Sequence, residues 1–428
     1  MVPRPTDHPK TMKPLTLPQA SATPPVPIHP AASLETTGRV ASLYLHVPFC
    51  SHKCHYCDFY SIVDTRDRQA SFTDRLIEEL TFLARFAANT PLRTIFVGGG
   101  TPSMLAPDLW IRLIAHLERH FDLSAIRSGN GEWTVECNPD SVTTQLADTL
   151  AQGGVNRISM GAQSFNAAHL KTLERTHNPQ NIPPALATFH RAGIRRTNLD
   201  LIFGIPGQTL ADWQSDLALA LSLGTQHISC YDLTYEPGTA MTARLRRGDF
   251  QPADEDVEVD MFETTIDTLA NAGLDRYEVS NYAVPGQECQ HNLAYWRQSP
   301  WLAAGPSASA FVEGHRWKNV PRLDDYLHGA NVSPPPVRDH EPPDAARLLK
   351  ERLMTGLRLR EGIHAVSLFD PADQLRPGAG LRLRSVAARH IETGHMLPDT
   401  SSALRLTRAG MLIADAVVID FLAAFDGE

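Results

Sequence analysis

Cys50, Cys54 and Cys57 lie four and three residues apart on one stretch of chain, close enough for a single tight loop to aim three thiols at one point. Three thiolates suit a cuboidal [4Fe-4S] cluster, which takes Cys ligands. They leave its fourth iron open to chelate a small molecule, much as a catalytic zinc site keeps one position for water or substrate. The competing chemistry is zinc completed by His52 or His55, but such sites usually join two ligand pairs and no second pair follows. Cys137 and Cys230 fall in strand patterns, where a buried inert thiol is the ordinary reading, and Cys289 stands alone.

Other residues could serve a ligand beside those thiols. Gly98, Gly99 and Gly100 lack Cβ atoms, so the backbone there can approach a ligand's amino and carboxylate groups, and Thr101 adds a hydroxyl. Asp200, flanked by Leu199 and Leu201, needs a partner or a ligand hydroxyl if buried; an ion pair with Arg175 inside the wall is the plain alternative. The run His291-Asn292-Leu293-Ala294-Tyr295-Trp296 sets an imidazole beside large flat rings, which suits a porphyrin or simply a packed core.

These groups need elements to position them. Six short apolar runs, 42 to 48, 94 to 99, 133 to 138, 157 to 163, 198 to 204 and 227 to 233, each end at Gly, Pro or a polar cluster. Between them lie amphipathic stretches. In 72 to 87, Phe72, Leu76, Leu80, Leu83 and Ala87 share a face, and 210 to 221 opens on a capping-box pair, Thr209 and Asp212. Strands apolar throughout and alternating with helices predict an α/β fold with a parallel sheet under helices, closed into a six-unit barrel or part of one. Ligands then belong at the C-terminal ends of the strands.

The flanks read differently. Residues 1 to 40 hold nine of the 32 prolines and no apolar periodicity, which predicts a disordered extension, and Met12 is an alternative start. The barrel is expected over 41 to 276 and a connecting or cover region over 277 to 331. A Pro-rich linker at 332 to 343 then leads to a small, mostly helical C-terminal domain over 344 to 428. A net charge of −9 gives no sequence-wide positive field for nucleic acid. No apolar run reaches a membrane-spanning length and no secretory core opens the chain, so the expectation is a cytoplasmic protein.

The thiolate run, with Tyr56 before its last Cys, resembles the signature of radical S-adenosylmethionine (SAM) proteins. LYLHVPFC, GGGTPS (98 to 103), ECNP (136 to 139), GAQSFN (161 to 166), DLIFGIPGQT (200 to 209), YEVSNYA (277 to 283) and HNLAYW (291 to 296) are similar in kind and order to one branch of that superfamily. That branch holds oxygen-independent coproporphyrinogen III dehydrogenases and heme chaperones. The resemblance extends over about 42 to 425. It implies a partial (βα)6 radical-SAM barrel, a [4Fe-4S] cluster on Cys50, Cys54 and Cys57, and SAM on Tyr44, Tyr56, Gly99, Gly100, Thr101, Glu136, Gln163, Arg175 and Asp200. It implies heme at His291, Tyr295 and Trp296.

Two departures bear on activity. The dehydrogenases carry a fourth Cys two residues after the third, where this chain has Phe59, and they carry a specialised N-terminal arm in place of a Pro-rich one. Where the branch often has an Ala-His-Ser-Phe element, this chain reads Ala308-Ser309-Ala310-Phe311, so Ser309 replaces a histidine. The resemblance therefore implies a heme chaperone with no catalytic residue assigned. It would deliver heme to acceptor hemoproteins, membrane respiratory enzymes among them, with a homodimer as one state. The enzymatic alternative is radical oxidative decarboxylation of coproporphyrinogen III in porphyrin biosynthesis, a SAM-derived 5′-deoxyadenosyl radical starting the reaction and the cluster supplying its electron.

Overall fold

A computed structural model describes residues 29–32, 34–328, 336–398 and 402–427. The six expected strands all form: β1 (Ser42–Val47), β2 (Thr94–Gly99), β3 (Glu132–Cys137), β4 (Arg157–Gln163), β5 (Arg196–Phe203) and β6 (His227–Asp232). They pair in parallel in chain order, β1 with β2 through to β5 with β6. Helices cover them. Gln69–Leu83 buries Phe72, Leu76, Leu80 and Leu83, the stripe its spacing predicts. Leu210–Ser222 opens on the reciprocal bonds of a capping box, the Asp212 amide donating to Thr209 Oγ1 at 3.2 Å and the Thr209 amide to Asp212 Oδ2 at 3.0 Å. Trp110, Trp133 and Trp213 are wholly buried in the core, each ring removing on the order of 5 kcal/mol worth of apolar surface from water.

Among the described residues the sheet has nine strands, three more than the apolar runs predict. β7 (Asp275–Arg276) and β8 (Asn281–Ala283) extend it antiparallel beyond β6, and β9 (Leu302–Ala304) pairs in parallel with β1 at the opposite edge. The connecting region over 277 to 331 thus contributes β8 and β9 to the sheet, and the expected boundary at 276 falls inside it. The physical reason is the open barrel: its edge strands would otherwise leave a row of backbone N–H and C=O groups unpaired.

Two flanking expectations are corrected in part. Residues 1–28 and 33 of the expected extension lie outside the described residues, but His29 packs edge-on against Trp317 with ring centroids 5.2 Å apart, and Ala31 and Val40 are buried. Residues 329–331 of the expected connecting region and 332–335 of the expected linker lie outside the described residues, and Val337–Glu341 of that linker is a strand. With Ser309–Val312 (β10) and His315–Asn319 (β11) it makes a three-stranded antiparallel sheet as β12.

The C-terminal domain is helical as expected, with helices Ala345–Gly356, Val366–Leu375, Ala379–Glu392, Arg408–Leu412 and Ala414–Asp426. It has its own core, in which Leu353, Leu368, Leu383, Val417 and Phe421 are wholly buried. Phe262 and Val279 of the larger domain pack against that core, and Arg297 grips Glu361 through two hydrogen bonds of 2.7 and 2.6 Å.

Candidate functional site

The chain leaves β1 at Val47 and makes a loop that closes on itself, the Ile62 amide donating to Pro48 O at 2.8 Å and the Cys50 amide to Ile62 O at 2.9 Å. The far side is pinned to the barrel through Met241 N to His55 O at 2.8 Å. Cys50, Cys54 and Cys57 all sit on this loop as free thiols, Cys54 buried and the others half-buried. Arg175 Nη1 donates to Cys54 Sγ at 3.6 Å, and Cys50 Sγ lies 3.5 Å from Thr101 Oγ1. Burial, with the neighbouring Cys54 and Cys50, raises the Cys57 thiol above its ordinary pKa, while Lys53 opposes it. Among the described residues no three His, Cys, Asp or Glu side chains already stand in ligating geometry. The fit to a cluster rests on donor chemistry: three free thiols on one loop, with the Arg175 guanidinium in hydrogen-bond reach of Cys54 Sγ.

The expected SAM residues gather next to them. Tyr56, Gly99, Gly100, Thr101, Glu136, Gln163, Arg175 and Asp200 all line one cavity of about 400 Å³, together with Cys57. Tyr44 stands apart on a second, larger cavity. The glycines have a reason beyond ligand approach. Gly99 has φ +106°, and a Cβ there would meet the His46 ring at 2.4 Å; one at Gly100 would meet the Pro48 carbonyl carbon at 2.7 Å. Gln163 holds φ +63°, rare for a non-glycine, where the β4 register slips against β5.

Glu136 accepts one hydrogen bond, from Gly99 N at 3.2 Å, and burial together with Asp200 pushes its carboxyl up to about 8. Asp200 accepts from Ser159 Oγ at 2.9 Å and Asn198 Nδ2 at 2.8 Å; burial still raises it. The alternative of an Arg175–Asp200 ion pair is not what forms. Arg175 instead donates to Gly161 O at 3.0 Å and His177 Nδ1 at 3.1 Å besides Cys54.

The larger cavity, about 860 Å³, shares Cys57, Phe59, Glu136 and Asp200 with the first and carries the rings of Tyr44, Phe96, Tyr295 and Trp301. A third cavity of about 650 Å³ lies at the junction with the C-terminal domain, with Tyr295, Trp296 and Met354 in its wall. The three expected heme residues therefore separate. Tyr295 faces both the large and the junction cavity and Trp296 only the latter, while His291 lines neither. Its ring is 1 % exposed, its Nδ1 lies 2.8 Å from Thr94 Oγ1, and burial lowers its pKa to about 3. Its Nε2 has no partner among the described residues. Ser309, in the histidine position, lines the large cavity, and Phe59, in the fourth-Cys position, is 64 % exposed at the boundary of both.

Sequence reasoning missed Lys53, His46, Arg157 and Lys318, all in the wall of the large cavity. His46 carried a signal, a polar residue inside the apolar run SLYLHVP; single charges such as Lys318 carried none.

Comparison with known proteins agrees with this architecture. Residues 44–220 match the Radical SAM superfamily. The fold is similar to that of coproporphyrinogen III oxidase (HemN) from Escherichia coli, a radical SAM enzyme, with a TM-score of 0.77 and 21% identity over 91% of this chain and 92% of that one. The fold and the thiolate loop thus define a radical SAM protein. Heme chaperone HemW from Lactococcus lactis is 36% identical over 75% of this chain and 82% of its own length, and HemW from Mycobacterium tuberculosis 35% identical over 89% and 94%. HemW from Bacillus subtilis is 30% identical over 89% of this chain and 99% of its own length. The chain belongs to the HemW family. Among the described residues no helix is long and apolar enough to cross a membrane.

Proposed function

We propose that this protein is a heme chaperone that carries a [4Fe-4S] cluster on Cys50, Cys54 and Cys57, binds SAM in the smaller cavity and holds heme in the larger one for transfer to acceptor hemoproteins. The observation that carries the reading is the pair of contiguous cavities, one set against the thiolates and lined by Gly100, Thr101, Gln163 and Arg175, the other ring-lined and large enough for a tetrapyrrole. When bound, a three-thiolate cluster offers one iron to the amino and carboxylate groups of SAM and can supply an electron to its sulfonium. The chain's own residues bind and orient. Glu136 and Asp200 offer acceptors to ligand hydroxyl or amino groups, and Gln163, Arg175 and Tyr56 line the same cavity. Tyr44, Tyr295 and Trp301 supply flat apolar surface for the macrocycle.

Phe59 at the fourth-Cys position and the HemW relatives favour the chaperone over the dehydrogenase. The cell compartment is the cytoplasm in this reading, with membrane respiratory enzymes among the acceptors. The test is anaerobic: reconstitute the cluster, add hemin and SAM, and record the heme spectrum alongside an assay for protoporphyrinogen formation from coproporphyrinogen III. Hemin binding with no product is the expected result. SAM-dependent product would overturn the reading and show that Phe59 does not disable the chemistry.

A further inference from the structure

The large cavity carries two ammonium groups that neither the thiolates nor the SAM residues explain. Lys318, on β11, lines its wall and is half-buried, and its ammonium makes no hydrogen bond or ion pair among the described residues. Lys53, on the thiolate loop, lines the same cavity and donates to Ser61 Oγ at 2.9 Å and to Phe59 O. An ammonium has three N–H donors, so Lys53 keeps one uncommitted. The two belong to one neighbourhood, since both act electrostatically on His46, helping to lower its pKa, and Ser307, Ser309 and Ser61 line the cavity with them.

The cavity's carboxylates do not neutralise this pair. Glu136 and Asp200 are buried beside the SAM residues, and burial raises both toward the neutral form. Asp58 is exposed on the thiolate loop and forms no ion pair among the described residues. A ligand that satisfies the cavity therefore needs a flat apolar body for its rings and two neighbouring anionic groups for its ammonium pair.

Resting on the heme reading above, we propose that Lys53 and Lys318 form a carboxylate clamp that takes the two adjacent propionates of a tetrapyrrole and sets its orientation in the cavity. The reverse orientation has a rival anchor at the floor, where Arg157 lines the cavity and its buried Nη2 has no partner among the described residues. Arg157 is already held by Glu132 Oε2 at 3.3 Å and Gln287 O at 2.9 Å and offers one free edge, whereas two propionates match two ammonium groups.

The test uses full-length, cluster-reconstituted protein titrated with hemin and with hemin dimethyl ester, whose propionates carry no charge. The wild type should bind hemin about tenfold or more tightly than the ester. Lys318→Gln should weaken hemin by about tenfold, leave the ester unchanged and leave SAM affinity unchanged, because Lys318 does not line the smaller cavity. Lys53→Gln should act in the same direction, but its loop contacts make Lys318→Gln the decisive variant. Equal binding of hemin and ester by the wild type, or preference for hemin kept in Lys318→Gln, overturns the clamp while leaving the chaperone reading intact. A preference lost only in Arg157→Gln places the propionates at the floor and overturns it too. Failure of the wild type to bind hemin overturns the chaperone reading and the clamp together.

Discussion

Glu79 lies in the seam where residues 305 to 326 close on helix Gln69–Leu83. It accepts hydrogen bonds from Tyr326 Oη at 2.6 Å, Asn319 Nδ2 at 2.6 Å and Gly305 N at 2.9 Å. Glu136, at the barrel mouth, accepts one, from Gly99 N at 3.2 Å. Both carboxyls are buried, and burial is the largest cause pushing Glu79 up to about 7 and Glu136 to about 8. The difference lies in their neighbours. Donors and Arg75 surround Glu79 and hold its rise down, whereas Asp200 pushes Glu136 further up. A carboxylate can accept about four hydrogen bonds, so the seam nearly saturates its acid and the mouth leaves most of that capacity for a ligand. One buried glutamate locks the fold; the other waits for chemistry.

The strongest way to break this comparison is Glu79→Ala. It would strand three buried donors, each costing about 1–3 kcal/mol when left without an acceptor. The expected loss in urea unfolding is about 3–5 kcal/mol, with SAM affinity of the folded protein unchanged. A loss below about 1 kcal/mol would show that the seam does not depend on its acid.

Next in size is Glu136→Gln, whose amide oxygen can still accept from Gly99 N. Stability at neutral pH should hold within about 1 kcal/mol, while SAM affinity, measured by calorimetry on cluster-reconstituted protein, falls by about tenfold. Collapse of the fold with SAM binding intact would exchange the roles assigned to the two acids.

The pH profile sharpens the same contrast. Folded pKa values raised above 4.5 mean that native Glu79 and Glu136 hold protons the unfolded chain has released. Their contribution is fully present below about 4.5 and is lost as pH rises through about 7 for Glu79 and about 8 for Glu136. Asp232, pushed to about 7 by burial and Glu258, adds to this limb. Buried His29 and His46, lowered to about 3 and about 4, act with the opposite sign: their contribution is complete above about 6.5 and lost on acidification. Stability of SAM-free protein should therefore fall between about pH 6.5 and 8.5, with a slope of up to about 1.4 kcal/mol per unit from each titrating acid. Glu136→Gln should make the whole fall shallower and remove the part between about 7 and 8, leaving Glu79 and Asp232 to account for what remains below about 7. A flat profile in the wild type would mean that neither acid is protonated in the native state.

Much of the mouth was legible in the sequence, and little of the seam. The thiolate run and the glycine triplet are local patterns, and eight of the nine residues expected at SAM do share a cavity. The triplet's structural cause was not legible, because the His46 ring and the Pro48–Phe49 backbone that exclude side chains at Gly99 and Gly100 arrive through folding. Glu79 reads as one more charge on an amphipathic helix, since its partners come from 226 to 247 residues away. β9 is three residues between Trp301 and Gly305, too short for any period, and exists because β1 needs a neighbour. The six central strands were readable because each carries its own apolar run. His291 shows the opposite limit: a motif position was readable, but its burial against Thr94 and Phe96 was not.

The smallest effect tests whether exposed apolar surface at the mouth belongs to ligand binding or to the fold. Phe59 is 64 % exposed, whereas Phe72, on the buried face of the seam helix, is wholly buried against Phe49. Phe72→Ala should cost about 3–5 kcal/mol through the cavity it leaves. Phe59→Ala removes a ring that already faces water and should change stability by no more than about 0.5 kcal/mol. If that ring instead covers the ligand boundary shared by the two cavities, its loss should weaken hemin binding by about threefold, within the range of a single aromatic contact. Soret titration and urea unfolding of the same variant separate the cases. A stability loss on the scale of Phe72 would place Phe59 among the groups that hold the loop together, and the mouth would then be built as the seam is built.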